Sequence, residues 1–305
     1  MKRADQKCGV LPLVASTLGR WLPVGVGLSL SFGMGAAAQA LAAPPTAETV
    51  PVAAAAEPQQ PATFQDWCET RDSLAAETQK TVDVLLTELG TTDCAEASRR
   101  TSVLTLLNLT NQGLSDLRPL STLPLLTELV LHGNQIADVS PLAALPNLSR
   151  LYLGSNQITD VSSLAPLEKL RFLVLMDNDL ASLAGLESLT SLQELYLSEN
   201  QITDVSPLAQ LPNLQKLYLT RNQIREVAPL SSLTSLRVLD LSSNQIANVA
   251  PLSGLVNLQQ LNLNRNQIAD AGPLRSLSGL RQLYLYNNPV RNFSCPTNSG
   301  AICLI

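Results

Sequence analysis

A unit of 22 residues recurs from Leu104 to Val290 without insertion or deletion, and this period constrains the fold more than any other feature of the chain. One such unit is too short to bury an apolar core by itself, so neighbouring units have to stack on one another. The sequence therefore predicts a solenoid of nine units. The period is marked by a column of Asn, in which Gln112 takes the same place in the first unit: Asn134, Asn156, Asn178, Asn200, Asn222, Asn244, Asn266 and Asn288.

Within each unit, Leu alternates with other residues just before the Asn, as in the segment LYLGSNQITDV. A two-residue alternation predicts a short strand whose Leu side chains all point to one side. The return segment, as in SPLAALPNL, is too short for a crossover helix, and its early Pro favours a single turn of 3-10 helix. Stacked units then predict nine parallel strands about 4.8 Å apart.

Two polar columns accompany the strands. A carboxamide repeated once per unit can satisfy peptide groups of its own turn and of the next unit, so we interpret the Asn column as structural. We expect the second column to accept bonds from the first N–H groups of each return segment, with calcium ligation as the alternative. Its members are Asp116, Asp138, Asp160, Asp204, Glu226 and Asp270, with Asn248 in the same phase.

The pattern LxxLxLxxNxIxDxxPL in steps of 22 residues resembles the leucine-rich repeat superfamily, and within it the bacterial internalins and a phosphatase-regulatory subclass. The resemblance implies an α/β solenoid: an arc with a parallel concave sheet, short 3-10 turns on the convex side and a partner bound on the concave face. The fourth unit departs from the pattern, because Ala184-Gly185-Leu186 lacks the Pro, and we expect a looser return segment there.

The segments before the repeats predict export. Residues 1–43 resemble a signal peptide, with a basic leader, an apolar stretch over 21–38 and a small-residue cleavage pattern at Ala38-Gln39-Ala40 or Ala40-Leu41-Ala42. An uncleaved membrane anchor is the alternative. Residues 44–62 form a Pro- and Ala-rich disordered linker.

The segments that border the repeats are predicted to cover their open ends. Residues 63–102 form a helical N-terminal cap, since Thr63 with Asp66 and Asp93 with Glu96 resemble capping boxes. Residues 103–290 form the repeat array, and residues 291–305 form a disulfide-closed C-terminal cap that folds back as a short loop.

Four of the five Cys follow the predicted signal peptide, and an even number in an exported chain predicts two disulfides. Three pairings are possible. Because one pair of Cys lies on each side of the array, we expect Cys68 to join Cys94 and Cys295 to join Cys303. A four-thiolate zinc site is the alternative, although no CxxC spacing is present.

The positions that the repeat does not dictate are candidates for binding, and all five Tyr of the chain lie among them. Tyr offers rigid contact area with a polar tip, although the preference of aromatic residues for strands could also place it there. A graded column of charges runs beside the Tyr and could orient a partner or simply be a solvated strand edge. The predicted partner-binding set is Arg150, Tyr152, Phe172, Met176, Asp177, Glu194, Tyr196, Glu199, Tyr218, Arg221, Arg265, Tyr284 and Tyr286.

The sequence offers little support for catalysis. It contains no P-loop, HExxH or GxSxG motif, and His132 has no acid at the matching position of either neighbouring unit. The net charge of −5 opposes binding to nucleic acid. We therefore predict a monomeric, non-enzymatic, exported protein, periplasmic or secreted, that binds another protein and needs no cofactor or metal.

Two other functions remain open at this point. Carbohydrate or cell-wall binding is one, because Tyr rings also stack on sugars. The second is a regulatory subunit of a phosphatase, which the predicted export signal and paired Cys oppose. Membrane association is expected only if the signal segment is not cleaved.

Overall fold

The computed structural model describes residues 61–291, Cys295 and residues 302–304. The predicted signal peptide and residues 44–60 of the predicted linker lie outside these described residues. Within the described part of the chain, no helix combines the length and the apolar character needed to cross a membrane.

Three helices precede the strands: α1 (Phe64–Glu69), α2 (Ala76–Leu89) and α3 (Cys94–Thr101). The predicted capping box of α1 is present, because the Thr63 hydroxyl accepts from the Asp66 backbone N–H and the Asp66 carboxylate accepts from the Thr63 backbone N–H. Helix α2 ends where Gly90 adopts a left-handed conformation, which a residue without Cβ takes up readily. A disulfide between Cys68 and Cys94 joins α1 to α3.

The described strands form one parallel sheet whose order follows the chain. Each strand is three residues long, and strands β1 to β9 follow one another at intervals of one repeat. The strands are β1 (Leu106–Asn108), β2 (Glu128–Val130), β3 (Arg150–Tyr152), β4 (Phe172–Val174), β5 (Glu194–Tyr196), β6 (Lys216–Tyr218), β7 (Val238–Asp240), β8 (Gln260–Asn262), β9 (Gln282–Tyr284) and β10 (Ile302–Leu304).

The tenth strand corrects the expectation of nine strands and a C-terminal loop. Residues Ile302–Leu304 pair in parallel with β9. The backbone N–H of Leu285 donates to the Leu304 carbonyl at 2.7 Å, and that of Ile302 donates to the Arg281 carbonyl at 2.9 Å. Strand β9 would otherwise leave a row of unpaired peptide groups at the end of the sheet, which explains why an isolated apolar triplet becomes a strand. Cys303 of β10 is bonded to Cys295.

One face of the sheet packs on a continuous apolar core. Leu195 and Leu197 lie on either side of Tyr196 in the sequence and are fully buried, while the Tyr196 ring points to the opposite face. Because the repeat keeps this alternation in register, the same two columns of Leu are buried along the array. The seven buried apolar positions of one unit are Leu192, Leu195, Leu197, Ile202, Val205, Leu208 and Leu211, each at most 1% exposed.

The return segments are short 3-10 helices, as the sequence predicts. In six of them a Pro occupies one of the first two positions, as in Ser206–Gln210, where its missing N–H leaves no helical bond unmade. In the fourth unit the helix shortens to Leu186–Ser188 and follows Gly185, which has φ +94°. The third return helix, Ser162–Leu164, also lacks the early Pro and is equally short, so the fourth differs from it in entering its helix through a left-handed residue.

Candidate functional site on the sheet face

The Asn column fixes where each strand ends. The side-chain amide of Asn200 donates to the carbonyls of Leu175 and Leu197 at 2.9 and 3.1 Å, and its carbonyl oxygen accepts from the Leu180 backbone N–H at 3.0 Å. Asn200 is 8% exposed. Equivalent bonds recur from Asn134 to Asn288, so each amide ties its own unit to the preceding one.

The second polar column begins the return segments. The Asp138 and Asp204 carboxylates each accept from a backbone N–H two residues later, at 2.8 Å, and Asn248 makes the same bond with its carbonyl oxygen at 3.0 Å. Since Asn replaces the acid without changing this bond, the column needs an acceptor rather than a charge. In the described part of the chain, no group of three or more His, Cys, Asp or Glu side chains could hold a metal ion.

The charged column lies in a turn that follows each strand. Asp177, Glu199, Arg221 and Arg265 have φ between +55° and +58°, the left-handed region. The sequence predicts that these charges run beside the Tyr, and the structure places them past the strand ends, at the carboxyl edge of the sheet. The sequence carried a partial signal for this turn, because Gly133 and Asn111, whose residue types tolerate positive φ, occupy the same column.

Four aromatic rings form a continuous row across strands β3 to β6, which we call the ring ladder: Tyr152, Phe172, Tyr196 and Tyr218. The ring centroids of Tyr152 and Phe172 are 4.9 Å apart, those of Phe172 and Tyr196 are 5.3 Å apart, and both pairs are tilted by about 44°. The rings of Tyr196 and Tyr218 stack at 4.7 Å with an interplanar angle of 8°. These distances lie in the range of favourable aromatic pairs, so the half-buried rings hold one another in place.

Arg150 covers the first end of the ladder. Its guanidinium carbon lies 4.7 Å from the Phe172 ring centroid and 5.8 Å from that of Tyr152. The Arg150 Nη2 donates to the Tyr152 hydroxyl at 2.6 Å, and its Nε lies 3.3 Å from the Glu128 carboxylate. The bond to Tyr152 is the main cause that raises the pKa of Arg150 above its usual value, and the Glu128 carboxylate pairs with this cation.

Glu194 holds the other end of the ladder. Its carboxylate accepts from the Tyr196 hydroxyl at 2.8 Å and from Lys216 Nζ at 3.0 Å. Burial acts to raise the pKa of Glu194, but the bonds from Lys216 and Tyr196 outweigh it and lower the pKa below its usual value. Burial and the bond to Glu194 raise the pKa of Tyr196. Glu194 is therefore an anion at neutral pH, and Tyr196 keeps its proton.

The ladder leaves one hydroxyl available. Tyr152 accepts from Arg150 and Tyr196 donates to Glu194, whereas the Tyr218 hydroxyl has no hydrogen-bond partner among residues 61–291. Glu128 and Lys216, which pair with Arg150 and Glu194, were absent from the predicted set. Their signal was the opposite charge exactly one repeat away in the neighbouring strand, a pairing that parallel register brings face to face.

The remaining predicted residues lie apart from the ladder. Tyr284 is in β9, three strands beyond Tyr218, and Tyr286 follows it with 58% of its surface exposed. Arg221 Nη1 pairs with Glu199 Oε1 at 2.9 Å at the carboxyl edge. Met176 is 39% exposed between these two regions. The predicted set thus divides into one compact cluster on β3 to β6, a separate group at the carboxyl edge, and Tyr284 by itself in β9.

The amino-acid sequence matches a family model that represents two consecutive leucine-rich repeats. The matched residues are 124–166, 168–210, 190–232, 212–254 and 256–298. These matches together span more than half of the chain. No curated protein matches the sequence at the significance required.

Solved structures include similar bacterial proteins. Internalin C2 from Listeria monocytogenes is 34% identical, over 65% of this chain and 88% of that chain, with a TM-score of 0.59. An internalin, inlF, from the same organism is 28% identical over 74% of each chain, also with a TM-score of 0.59.

A plant structure is similar over a shorter share of its length. The leucine-rich repeat ectodomain of the receptor kinase GASSHO1/SCHENGEN3 from Arabidopsis thaliana, in complex with CASPARIAN STRIP INTEGRITY FACTOR 2, is 27% identical with a TM-score of 0.55. The match covers 61% of this chain and 24% of that chain. The repeat period, the stacked parallel strands and these matches lead to one conclusion: this chain belongs to the leucine-rich repeat family and resembles the bacterial internalins.

Proposed function

We propose that this chain is an exported, non-catalytic interaction module that binds a protein partner on its sheet face, with the ring ladder at the centre of the contact. The leucine-rich repeat family is generally non-enzymatic and serves in protein interaction. Export is supported by the two disulfides, which persist in oxidising compartments and are rare in the cytosol. The same disulfides oppose the role of a cytosolic phosphatase subunit.

The ring ladder is the observation that carries this proposal. Binding costs free energy when mobile side chains become ordered at an interface. In the ladder, ring contacts and the bonds to Arg150 and Glu194 already order Tyr152, Phe172 and Tyr196. An ordered aromatic cluster with polar tips is typical of the residues that dominate protein interfaces.

The geometry favours a protein over a glycan as the partner. A sugar stacks on the open face of an aromatic ring, but the facing sides of Tyr196 and Tyr218 are turned to each other. Arg150 lies over the Phe172 ring. The ladder therefore presents ring edges and hydroxyl groups, which suit apolar and hydrogen-bonding groups of a protein surface. The Arabidopsis ectodomain in complex with an integrity factor supports partner binding by this fold.

The experiment is chemical crosslinking of the purified protein to the exported proteins of its own host, followed by quantification of the captured protein. We expect the wild type to capture a discrete partner and the double variant Tyr196→Ala, Tyr218→Ala to lose at least about tenfold of the yield, as removal of interface hot spots does. Far-UV circular dichroism of each variant checks that the fold is retained.

Asn108→Ala is the matched control, because Asn108 holds the same strand position in β1 but lies outside the ladder and outside the predicted partner-binding set. Its capture should equal that of the wild type. Undiminished capture by the folded double variant would contradict the proposal, and so would retention of host polysaccharide in place of protein.

A further inference from the structure

A groove of about 380 Å³ opens at the carboxyl edge of the sheet, beyond the last ring of the ladder. It is lined by residues of five successive units, from β5 to β9. The lining residues on which the inference rests are Glu199, Arg221, Ser243, Asn264, Arg265 and Tyr286.

The groove has an excess of positive charge in a chain whose net charge is −5. Glu199 is its only lining carboxylate, and it is paired with Arg221 through a single bond from Nη1. Arg265 is exposed and makes no ion pair among the described residues. The nearby Asp240 carboxylate is occupied by the Ser242 backbone N–H and the Asn262 amide. One guanidinium group is thus left without an anionic partner.

Neutral donors surround the unpaired guanidinium. The side-chain oxygen of Asn264 accepts from the Tyr286 backbone N–H at 2.8 Å, which turns the amide so that its NH₂ group has no partner among residues 61–291. Ser243 contributes a hydroxyl group. A carboxylate is the anion that a planar guanidinium binds with two parallel bonds, and an amide NH₂ and a hydroxyl can add further donors.

We propose that this groove binds a carboxylate of the protein partner, an acidic side chain or a free C-terminus, held by Arg265 with Asn264 and Ser243. The inference rests on the proposed function and deepens it, because Tyr218 and Arg221 belong to the same unit and place the groove beside the ladder. The partner's recognised segment then carries apolar residues that contact the ladder and an acid next to them.

The test selects a random peptide library, displayed with free C-termini, on the immobilised protein. We expect the peptides enriched by the wild type to carry apolar or aromatic residues together with Asp, Glu or a required free C-terminus. The acidic residues should be enriched about threefold or more over the starting library, as expected of one partly exposed charge pair.

Two substitutions of Arg265 keep the left-handed turn, since Asn287 and Glu199 occupy the same turn position with positive φ. Arg265→Asn should abolish the acidic enrichment and leave the apolar enrichment unchanged. Arg265→Glu should reverse the charge preference, so that the enriched peptides carry Lys and Arg in place of acidic residues. Arg237→Gln is the control, because Arg237 is equally exposed just before β7 but does not line the groove, and it should select the wild-type peptides.

The outcomes separate the two proposals. Peptides with apolar but no acidic preference, or an acidic preference that survives in Arg265→Asn, would overturn the groove proposal and leave the ladder in place. The same holds if no peptide is enriched while the wild type still captures its host partner. If the wild type itself captured no host protein, the proposed function would be overturned.

Discussion

The amide of Asn200 shows how a single side chain determines the period of the fold. It is almost fully buried and makes four bonds to backbone groups of two units, at 2.9 to 3.3 Å. An apolar residue of similar size would fill the space but leave the Leu180 N–H unsatisfied, whereas the Leu175 and Leu197 carbonyls would each keep one bond, from Asn178 and Asn222. The conformation of the turn therefore depends on the carboxamide rather than on packing.

We predict that Asn200→Leu lowers the free energy of unfolding by about 1–3 kcal/mol, the cost of leaving a buried peptide N–H unpaired. Asn213→Leu is the control, because Asn213 is exposed and makes a single bond, to the Thr190 carbonyl; its effect should stay below about 1 kcal/mol. Urea unfolding measures both. Equal midpoints for the two variants would contradict this role of the Asn column.

The residues of the site differ in how far the sequence could predict them. The Asn column was predictable, because a carboxamide required once per unit appears at a fixed spacing. The left-handed turns were predictable only in part, from Gly133 and Asn111, since Glu199 and Arg221 have no local preference for positive φ and adopt it within the repeat. Phe172 is the first residue of its strand, whereas Tyr152 and Tyr196 are the last residues of theirs. The place of the Phe172 ring between the two Tyr rings therefore depends on side-chain rotamers, which the repeat spacing does not encode.

The fourth return segment shows that a departure from the repeat can be structurally required. Gly185 has φ +94°, and a Cβ built on it would lie 2.6 Å from the Cα of Ser162 in the preceding unit. Its backbone N–H also donates to the Glu187 carboxylate at 2.7 Å. The Pro that most other units carry at this position could satisfy none of these conditions.

Restoring the repeat consensus should therefore have opposite results in two adjacent units. Gly185→Pro is expected to cost about 3 kcal/mol or more, because Pro requires a negative φ and has no N–H. Ser163→Pro should be neutral or stabilise by roughly 0.5 kcal/mol, since Ser163 lies within a 3-10 helix at the position where Pro occurs elsewhere. Thermal unfolding distinguishes the variants, and a tolerated Pro at position 185 would contradict the described backbone.

The strands and 3-10 helices of the repeats were predictable because every unit restates the same pattern. Strand β10 was not, because Ile302–Leu304 lies outside the period and three residues carry no alternation that could be recognised. Its pairing is determined by the open edge of β9, a feature of the assembled sheet rather than of the local sequence.

At the scale of the whole molecule, the helical segment is joined to the first repeat by a polar network. The Arg118 guanidinium donates to the Asp116 carboxylate, and the Thr78 hydroxyl of α2 donates to the same group. Lys80 Nζ donates to the Gly113 carbonyl at 2.7 Å. Burial acts to raise the pKa of Asp116, but the bonds from Arg118 and Thr78 outweigh it and lower the pKa.

This lowered pKa predicts how the stability of the molecule depends on pH. A carboxyl with a depressed folded-state pKa contributes stability above its unfolded value, near 3.8, and the contribution is lost as the pH falls through the folded-state pKa. Asp116→Asn should therefore lower the free energy of unfolding by about 1–2 kcal/mol at pH 7 and by much less at pH 2. Urea unfolding at both pH values measures the difference.

Asp270→Asn is the control for this experiment. Asp270 occupies the same column seven repeats later but is exposed and accepts its bond from the Gly272 backbone N–H, which Asn can replace, as Asn248 does. Its substitution should change the stability little at either pH. If Asp116→Asn had the same effect at pH 7 and pH 2, the network would not depend on the charge.

The sheet face offers a direct measurement of the central claim, that the ring ladder is where a protein partner docks. A photoreactive p-benzoylphenylalanine in place of Tyr218 keeps an aromatic ring in the ladder, whereas the same residue in place of the exposed Gln210 lies on a return segment. After irradiation of host cells that export each variant, we expect a discrete protein adduct at position 218 and none at position 210. An adduct at position 210 with none at position 218 would contradict the account.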